Sequence, residues 1–354
     1  MPQFYGRPAQ KQSRKGPTDV HRLPLLPKRA VYTAAQVRAT GGANMGDVIS
    51  FASELILDDI YELDFGAEPA RLSLVANDDA PFAIGGDTSI GTAGAFVHLD
   101  STLTFMSPNG STSDALLMVE VDAAGDVADI YLLPFSAMLP KVEYRLVGID
   151  RENAQAKFAQ VTCVSFTRGT QITMASGAQR AVEELSVGDR ILTRDDGVQI
   201  LRWIGTSTTR AIGEFAPIKI AAGTLNNTAD LLVSSAHRLF IYQRTDQLGA
   251  GRAELLVKAR HLVNGDTVTV AEGGFVDYFQ LLFDSHQIIY AEGIAAESML
   301  ITSRTRPVLP ADVAQSLGTH VPGHSDLPHA GLDAPEGLLK RADTAAMLKK
   351  ASSR

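Results

Sequence analysis

VTCVSFTRGT, residues 161–170, holds the chain's only cysteine, Cys163, with Ser165 two positions further on. Two nucleophile-type side chains this close raise the question of chemistry, although a lone cysteine is by default a small buried hydrophobe. The stretches that follow share one character. QITMASGAQRAV (171–182) sets a Ser-Gly turn between short apolar segments, and RILTRDDGVQILRWIG (190–205) sets Asp-Asp-Gly between two strongly apolar runs. Both are hairpin signals. LLVSSAHRLFIY (231–242) and YFQLLFDSHQIIYAEG (278–293) each put a histidine within or beside a strand-like run. Residues 159–301 therefore read as a heavily buried all-β unit of barrel-like or folded-ribbon form.

An internal echo supports one unit here: Leu185 to Asp189 before RILT recurs as Leu262 to Asp266 before TVTV. In each copy a glycine supplies positive φ and an aspartate bonds local amides, the requirement of a tight turn leading into a strand.

The rest of the 354-residue chain is organised around this unit, and its length allows two domains with substantial cores. Residues 1–45 are expected to be a basic flexible arm, because prolines, glycines and basic residues occur without apolar periodicity. Residues 1–40 carry eight basic residues against one acid, whereas residues 41–140 carry sixteen acids against one base. Residues 46–158 alternate short apolar segments with turns, as in LLMVEVD and DIYLLPF around AAGDVA, and predict an antiparallel β domain with an acidic surface. Its acids lack the loop spacing of a calcium site. Residues 302–354 are a Pro-rich and helical tail with prolines at 307, 310, 322, 328 and 335. His320, His324 and His329 lie in it without a cysteine or evident carboxylate partner, and read as solvated loop histidines.

Composition excludes several classes. At 45% hydrophobic residues and near-zero mean hydropathy the chain is globular. One cysteine excludes an intrachain disulfide and a multi-thiolate zinc site. No apolar run approaches the roughly 20 residues of a membrane span, and no Sec signal peptide is legible. The expected location is cytoplasmic, or outside the cell by a non-Sec route. The basic arm lacks the aromatic interleaving of a nucleic-acid binder, so no nucleic-acid partner is expected.

Taken in order, SFTRGTQI (165–172), VEELSVGDRILTRDDG (182–197), LRWIG (201–205), LLVSSAHRLFIY, KARHLVNGDTV (258–268) and FDSHQIIYAEGIAAES (283–298) resemble the blocks of the Hint domain. This is the autoprocessing fold shared by hedgehog proteins and inteins, and the region looks like bacterial Hint-domain proteins of non-splicing type. The resemblance covers about residues 160–301 and implies a Hint fold there; with the patterns on either side, the expected chain is mostly β, with an N-terminal antiparallel β domain, a Hint fold and a short helical C-terminal tail. It also implies self-cleavage by an acyl shift near residues 162–165, a single-turnover event without metal or organic cofactor. The chain's own N-terminal segment would be the substrate, and water or an external nucleophile the acceptor.

In the family's register the nucleophile position falls on Ser165, which would form an oxyester at the Val164 carbonyl. Cys163 has the more easily ionised side chain and would attack the Thr162 carbonyl. If the segment were an extended strand, the two side chains would share a face about 7 Å apart. Register favours Ser165, since small misplacements cost heavily in proximity-driven chemistry. The resemblance gives His237 the proton-donor role and Ser234 the hydroxyl that orients the scissile amide. His286 with Asp284 would tune the site or form a structural pair at a strand end. Gln280 stands where some relatives have histidine, which removes one proton carrier. No terminal Asn followed by Cys, Ser or Thr closes the last block, so ligation is not expected. The alternative is a catalytically inactive Hint scaffold that binds an unidentified protein partner through the acidic β domain. A conventional serine hydrolase is weaker, because no G-x-S-x-G elbow is present.

Overall fold

The computed structural model describes residues 29–75, 81–246, 248–301, 305, 306, 309, 324, 330–339 and 343–352. They are mostly β, in an N-terminal antiparallel sheet followed by a compact unit built from the blocks that resemble the Hint domain, termed the Hint unit below, and a C-terminal helix.

The N-terminal sheet has ten strands. Its long central members are Phe96–Met106, Thr112–Val121 and Val127–Pro134. The run ALLMVEV is nearly continuous in its apolar character because the sheet is covered on both faces. Ala115, Leu117 and Val119 feed one core with Leu103, Phe105 and Leu132, while Leu116 and Met118 feed the other with Tyr131 and Leu133. The AAGDVA hairpin closes as its residues predict: Gly125 has φ 90°, and Asp122 Oδ1 accepts from the Ala124 and Asp126 amides.

Two expectations are corrected here. Residues 29–45 were expected in a flexible arm, but Arg29–Thr33 and Val37–Gly41 are strands of this sheet. Val31, Val37 and Ala39 are buried, so a short apolar alternation hidden among basic residues suffices once neighbouring strands supply partners. Residues 1–28 of that arm lie outside the described residues. Nor does a domain boundary fall between 158 and 159, because Ala154–Thr162 is a helix. Ala154, Phe158 and Val161 pack along one face of it into the second core of the N-terminal sheet.

The Hint unit consists of two six-stranded sheets and a two-stranded ribbon, Arg190–Leu192 with Val198–Ile200. The first sheet includes Phe166–Thr167, Trp203–Arg210, Leu231–Val233 and Phe275–Leu282. The second includes Gln171–Thr173, Arg238–Tyr242, Glu254–Lys258 and Ile294–Glu297. Both sheets contribute to one core, in which Phe166, Val233, Leu239 and Phe279 meet. The chain crosses between the sheets at 168–170 and again at 234–237, so residues on either side of the crossings gather at the seam. The echoed turns both carry positive-φ glycines, Gly188 and Gly265. In the first copy Asp189 accepts from the Ser186 amide, but in the second the capping side chain is Asn264 rather than Asp266.

The two units are docked through Phe215. Its ring meets Phe135 edge-on at 5.3 Å and joins the N-terminal core, with Lys157 Nζ 5.2 Å above it. Gly213 (φ 56°) lets the chain approach, since a Cβ there would lie 2.0 Å from the Phe135 carbonyl oxygen. Arg210 adds a bond to Thr112 Oγ1 at 2.8 Å.

The tail continues the Hint core. Thr344–Ser352 is a helix whose Ala345 and Leu348 pack into it with Leu339, while Asp333 bonds Arg238 at 3.2 Å. His324 is corrected as well. It is buried, accepting from the Ile301 amide at Nδ1 and bonding the Phe283 carbonyl through Nε2, each at 3.1 Å. His320 and His329 lie outside the described residues.

Candidate self-processing site

Ser165 follows the helix Ala154–Thr162 and immediately precedes the strand Phe166–Thr167. The strand alternation expected to bring Cys163 and Ser165 onto one face does not exist, because the helix runs to Thr162 and Cys163 is its C-cap. Cys163 turns into a separate apolar cluster of Leu282, Met299, Ile301 and Leu309, and is fully buried. Burial pushes its thiol pKa up to about 12.

Ser165 sits on a hydrogen-bonded frame instead. Its backbone N–H, the amide of the Val164–Ser165 bond, donates to Ser234 Oγ at 3.1 Å. Ser234 Oγ donates in turn to the Cys163 carbonyl at 3.0 Å, so one hydroxyl bridges the two peptide groups that flank Val164. The Ser165 carbonyl accepts from the Ser234 amide at 3.0 Å and from His237 Nδ1 at 3.1 Å. The turn is closed by His237 N–H on the Ser234 carbonyl at 3.0 Å. Gln280 Nε2 donates to Ser165 Oγ at 2.8 Å. Ser165, Ser234, His237 and Gln280 are all buried, so water competes little for these contacts.

The bond at His237 identifies its tautomer. A carbonyl oxygen only accepts, so Nδ1 carries the proton. Burial is the main influence holding the imidazole pKa below its usual value, and the ring is neutral at pH 7 with its lone pair on Nε2. That nitrogen has no hydrogen bond of good geometry, although the Glu297 backbone lies close enough to favour protonation. The Phe166 ring packs against the imidazole with centroids 4.5 Å apart.

Behind His237 lies a charge cluster. The Glu297 carboxylate accepts from the Arg238 amide and guanidinium at 2.6–3.0 Å and from His286 Nε2 at 3.3 Å. Burial alone would raise the Glu297 pKa, but the Arg238 charge and the bonds from His286 and Arg238 hold it at about 2. His286 and Asp284 were expected as a pair, and the structure gives each another partner. His286 pairs with Glu297, while Asp284 points to the surface and forms a bidentate pair with Arg202 at 2.7–2.9 Å. The reason is local: the chain turns between the two residues, and only His286 faces inward.

The structure thus brings together Ser165, Ser234 and His237, and leaves Cys163, His286 and Asp284 away from the Ser165 hydroxyl. Sequence reasoning missed the contacts of Gln280 and the part of Glu297. Gln280 had been noted only for the proton carrier it lacks. The Glu-Ser pair that closes the last block carried no signal of a charge partner at Arg238. Among the described residues, no three His, Cys, Asp or Glu side chains group to hold a metal ion, and no helix is long and apolar enough to cross a membrane.

Three comparisons with known proteins were made. A search of curated proteins finds no match. Among solved structures, the crystal structure of the gp41-1 intein is similar over 38% of this chain and 97% of its own, at 12% identity and a TM-score of 0.24. A family model described as the Hint domain matches residues 164–303, a span that contains Ser165, Ser234, His237 and Gln280. Residues 164–303 of the chain are a Hint domain.

Proposed function

We propose that the protein cleaves itself between Val164 and Ser165 without splicing. The observation that carries this reading is the Ser234 hydroxyl, which accepts from the Ser165 amide, the nitrogen of the bond that Ser165 would cleave, and donates to the Cys163 carbonyl one peptide earlier, so that Val164 is held between the two contacts. In the first step Ser165 Oγ bonds to the Val164 carbonyl carbon and the carbon–nitrogen bond breaks. The hydroxyl proton ends on the freed Ser165 amine, with the His237 imidazole as the nearest group able to carry it. In the second, water adds to the ester, leaving a carboxyl on Val164 and restoring the Ser165 hydroxyl. An external nucleophile in place of water would leave Val164 joined to it. Two features support Ser165 over Cys163: the family match begins at residue 164, and the Cys163 thiol is locked in an apolar cluster.

Intact-mass measurement over time, with and without hydroxylamine, tests the reading. Cleavage at Val164–Ser165 is expected in the wild type and in Cys163→Ala, and none in Ser165→Ala. Full-length mass under every condition would refute it. A non-cleaving scaffold is the second reading. It is favoured by the insertion of Phe215 into the N-terminal core, which holds the two units together whatever happens to the peptide bond. Its partner would be a protein recognising the acidic β domain.

A further inference from the structure

Gln280 stands directly opposite Gly205 in the register between strands Phe275–Leu282 and Trp203–Arg210. Gly205 does not need glycine for its backbone conformation, since its φ is not in the left-handed region. It needs the space. A Cβ there would lie 2.1 Å from the Trp203 ring and 2.6 Å from Gln280 Oε1. Across the same strand, Phe166 is the register partner of Phe279, which brings the preceding residue, Ser165, alongside Gln280. The carboxamide is therefore seated between a glycine gap and the nucleophile, with Nε2 on Ser165 Oγ at 2.8 Å.

We propose that Gln280 is the positioning residue of the Ser165 hydroxyl, fixing its oxygen while supplying no base, so that position 280 adds no ionisation to the self-cleavage rate. The proposal rests on the self-cleavage reading. A carboxamide N–H holds Oγ in one rotamer and stabilises negative charge on it, but a carboxamide does not take up the hydroxyl proton. That proton must leave by another group.

The test combines three variants of the full chain with one measurement that needs no turnover. Gln280→Met keeps the length and removes the donor, and hydroxylamine-trapped cleavage should slow about tenfold. Gln280→Glu should behave like the wild type at low pH, where burial keeps the new carboxyl protonated and able to donate. As pH rises through its titration it becomes a base for Oγ–H, so its rate should climb away from the wild-type profile. In nitrogen-15 spectra the Gln280 side-chain amide pair should shift on Ser165→Ala. Unmoved Gln280 signals in Ser165→Ala, a wild-type rate in Gln280→Met, or an unchanged pH profile in Gln280→Glu would each overturn the role of Gln280. Failure of the self-cleavage reading looks different: the wild type itself yields no trapped product.

Discussion

Replacing Glu297 with Gln removes the carboxylate on which Arg238 and His286 converge, and leaves the Arg238 guanidinium, whose side chain is 12% exposed, facing only the half-exposed Asp333. The magnitude follows from the carboxyl itself. Its pKa falls from 4.5 to about 2 on folding, and that difference corresponds to about 3 kcal/mol of stability at neutral pH. Mutational experience with broken buried pairs gives a similar figure, roughly 3–5 kcal/mol. Because the folded pKa is the lower one, the contribution is complete above 4.5 and is lost as pH falls through about 2. The gap between wild type and Glu297→Gln should therefore be about 3 kcal/mol at pH 7 and shrink to less than half of that at pH 3. The assay is urea unfolding followed by fluorescence of Trp203, the chain's single tryptophan, which sits in the Hint unit and reports on that unit alone. With a denaturant slope of about 3 kcal/mol per molar, the midpoint should drop by about 1 M. A gap below 1 kcal/mol at pH 7, or one that does not narrow toward pH 3, would refute the reasoning.

Three further outcomes are expected. Cys163 should resist alkylation in the folded protein and react fully in denaturant, since its thiol is enclosed and its pKa is raised to about 12; rapid native labelling would contradict the packing. After cleavage, the pieces ending at Val164 and starting at Ser165 should co-elute in native size exclusion. Phe215→Ala, which empties a site in the N-terminal core at a cost of roughly 3–5 kcal/mol, should release them. Asp284→Ala should leave the cleavage rate unchanged and cost less than about 1 kcal/mol, because its pair with Arg202 is half or more exposed; a large loss of cleavage would return Asp284 to the site.

Much of the architecture was legible locally. Hairpin turns at Ser176-Gly177, Asp196-Gly197 and Gly125 announce themselves because positive φ and short polar side chains leave compositional traces. The ordered blocks from SFTRGTQI to GIAAES named the Hint unit and the Ser165, Ser234 and His237 trio, since each block pairs a motif with its flanking strand. Where burial depended on distant partners, the reading failed. The strands at 29–33 and 37–41 carry too few apolar residues to stand out from their basic surroundings. The helix at 154–162 has no side-chain cap and is short, so only its packing against the N-terminal sheet sustains it.

Residue types and their order along the chain were enough to indicate the mostly β class and the Hint domain, because turn chemistry, alternation and motif spacing are properties of neighbouring residues. Which groups meet was settled only in three dimensions. Cys163 and Ser165 part company because Cys163 caps a helix that ends at Thr162, whereas Ser165 leads into the strand Phe166–Thr167. Asp284 and His286 take different partners across a turn, and Gln280 reaches Ser165 Oγ through a gap that Gly205 leaves on another strand. These contacts join residues far apart in the chain, and their energies depend on burial and distance, which no local pattern encodes.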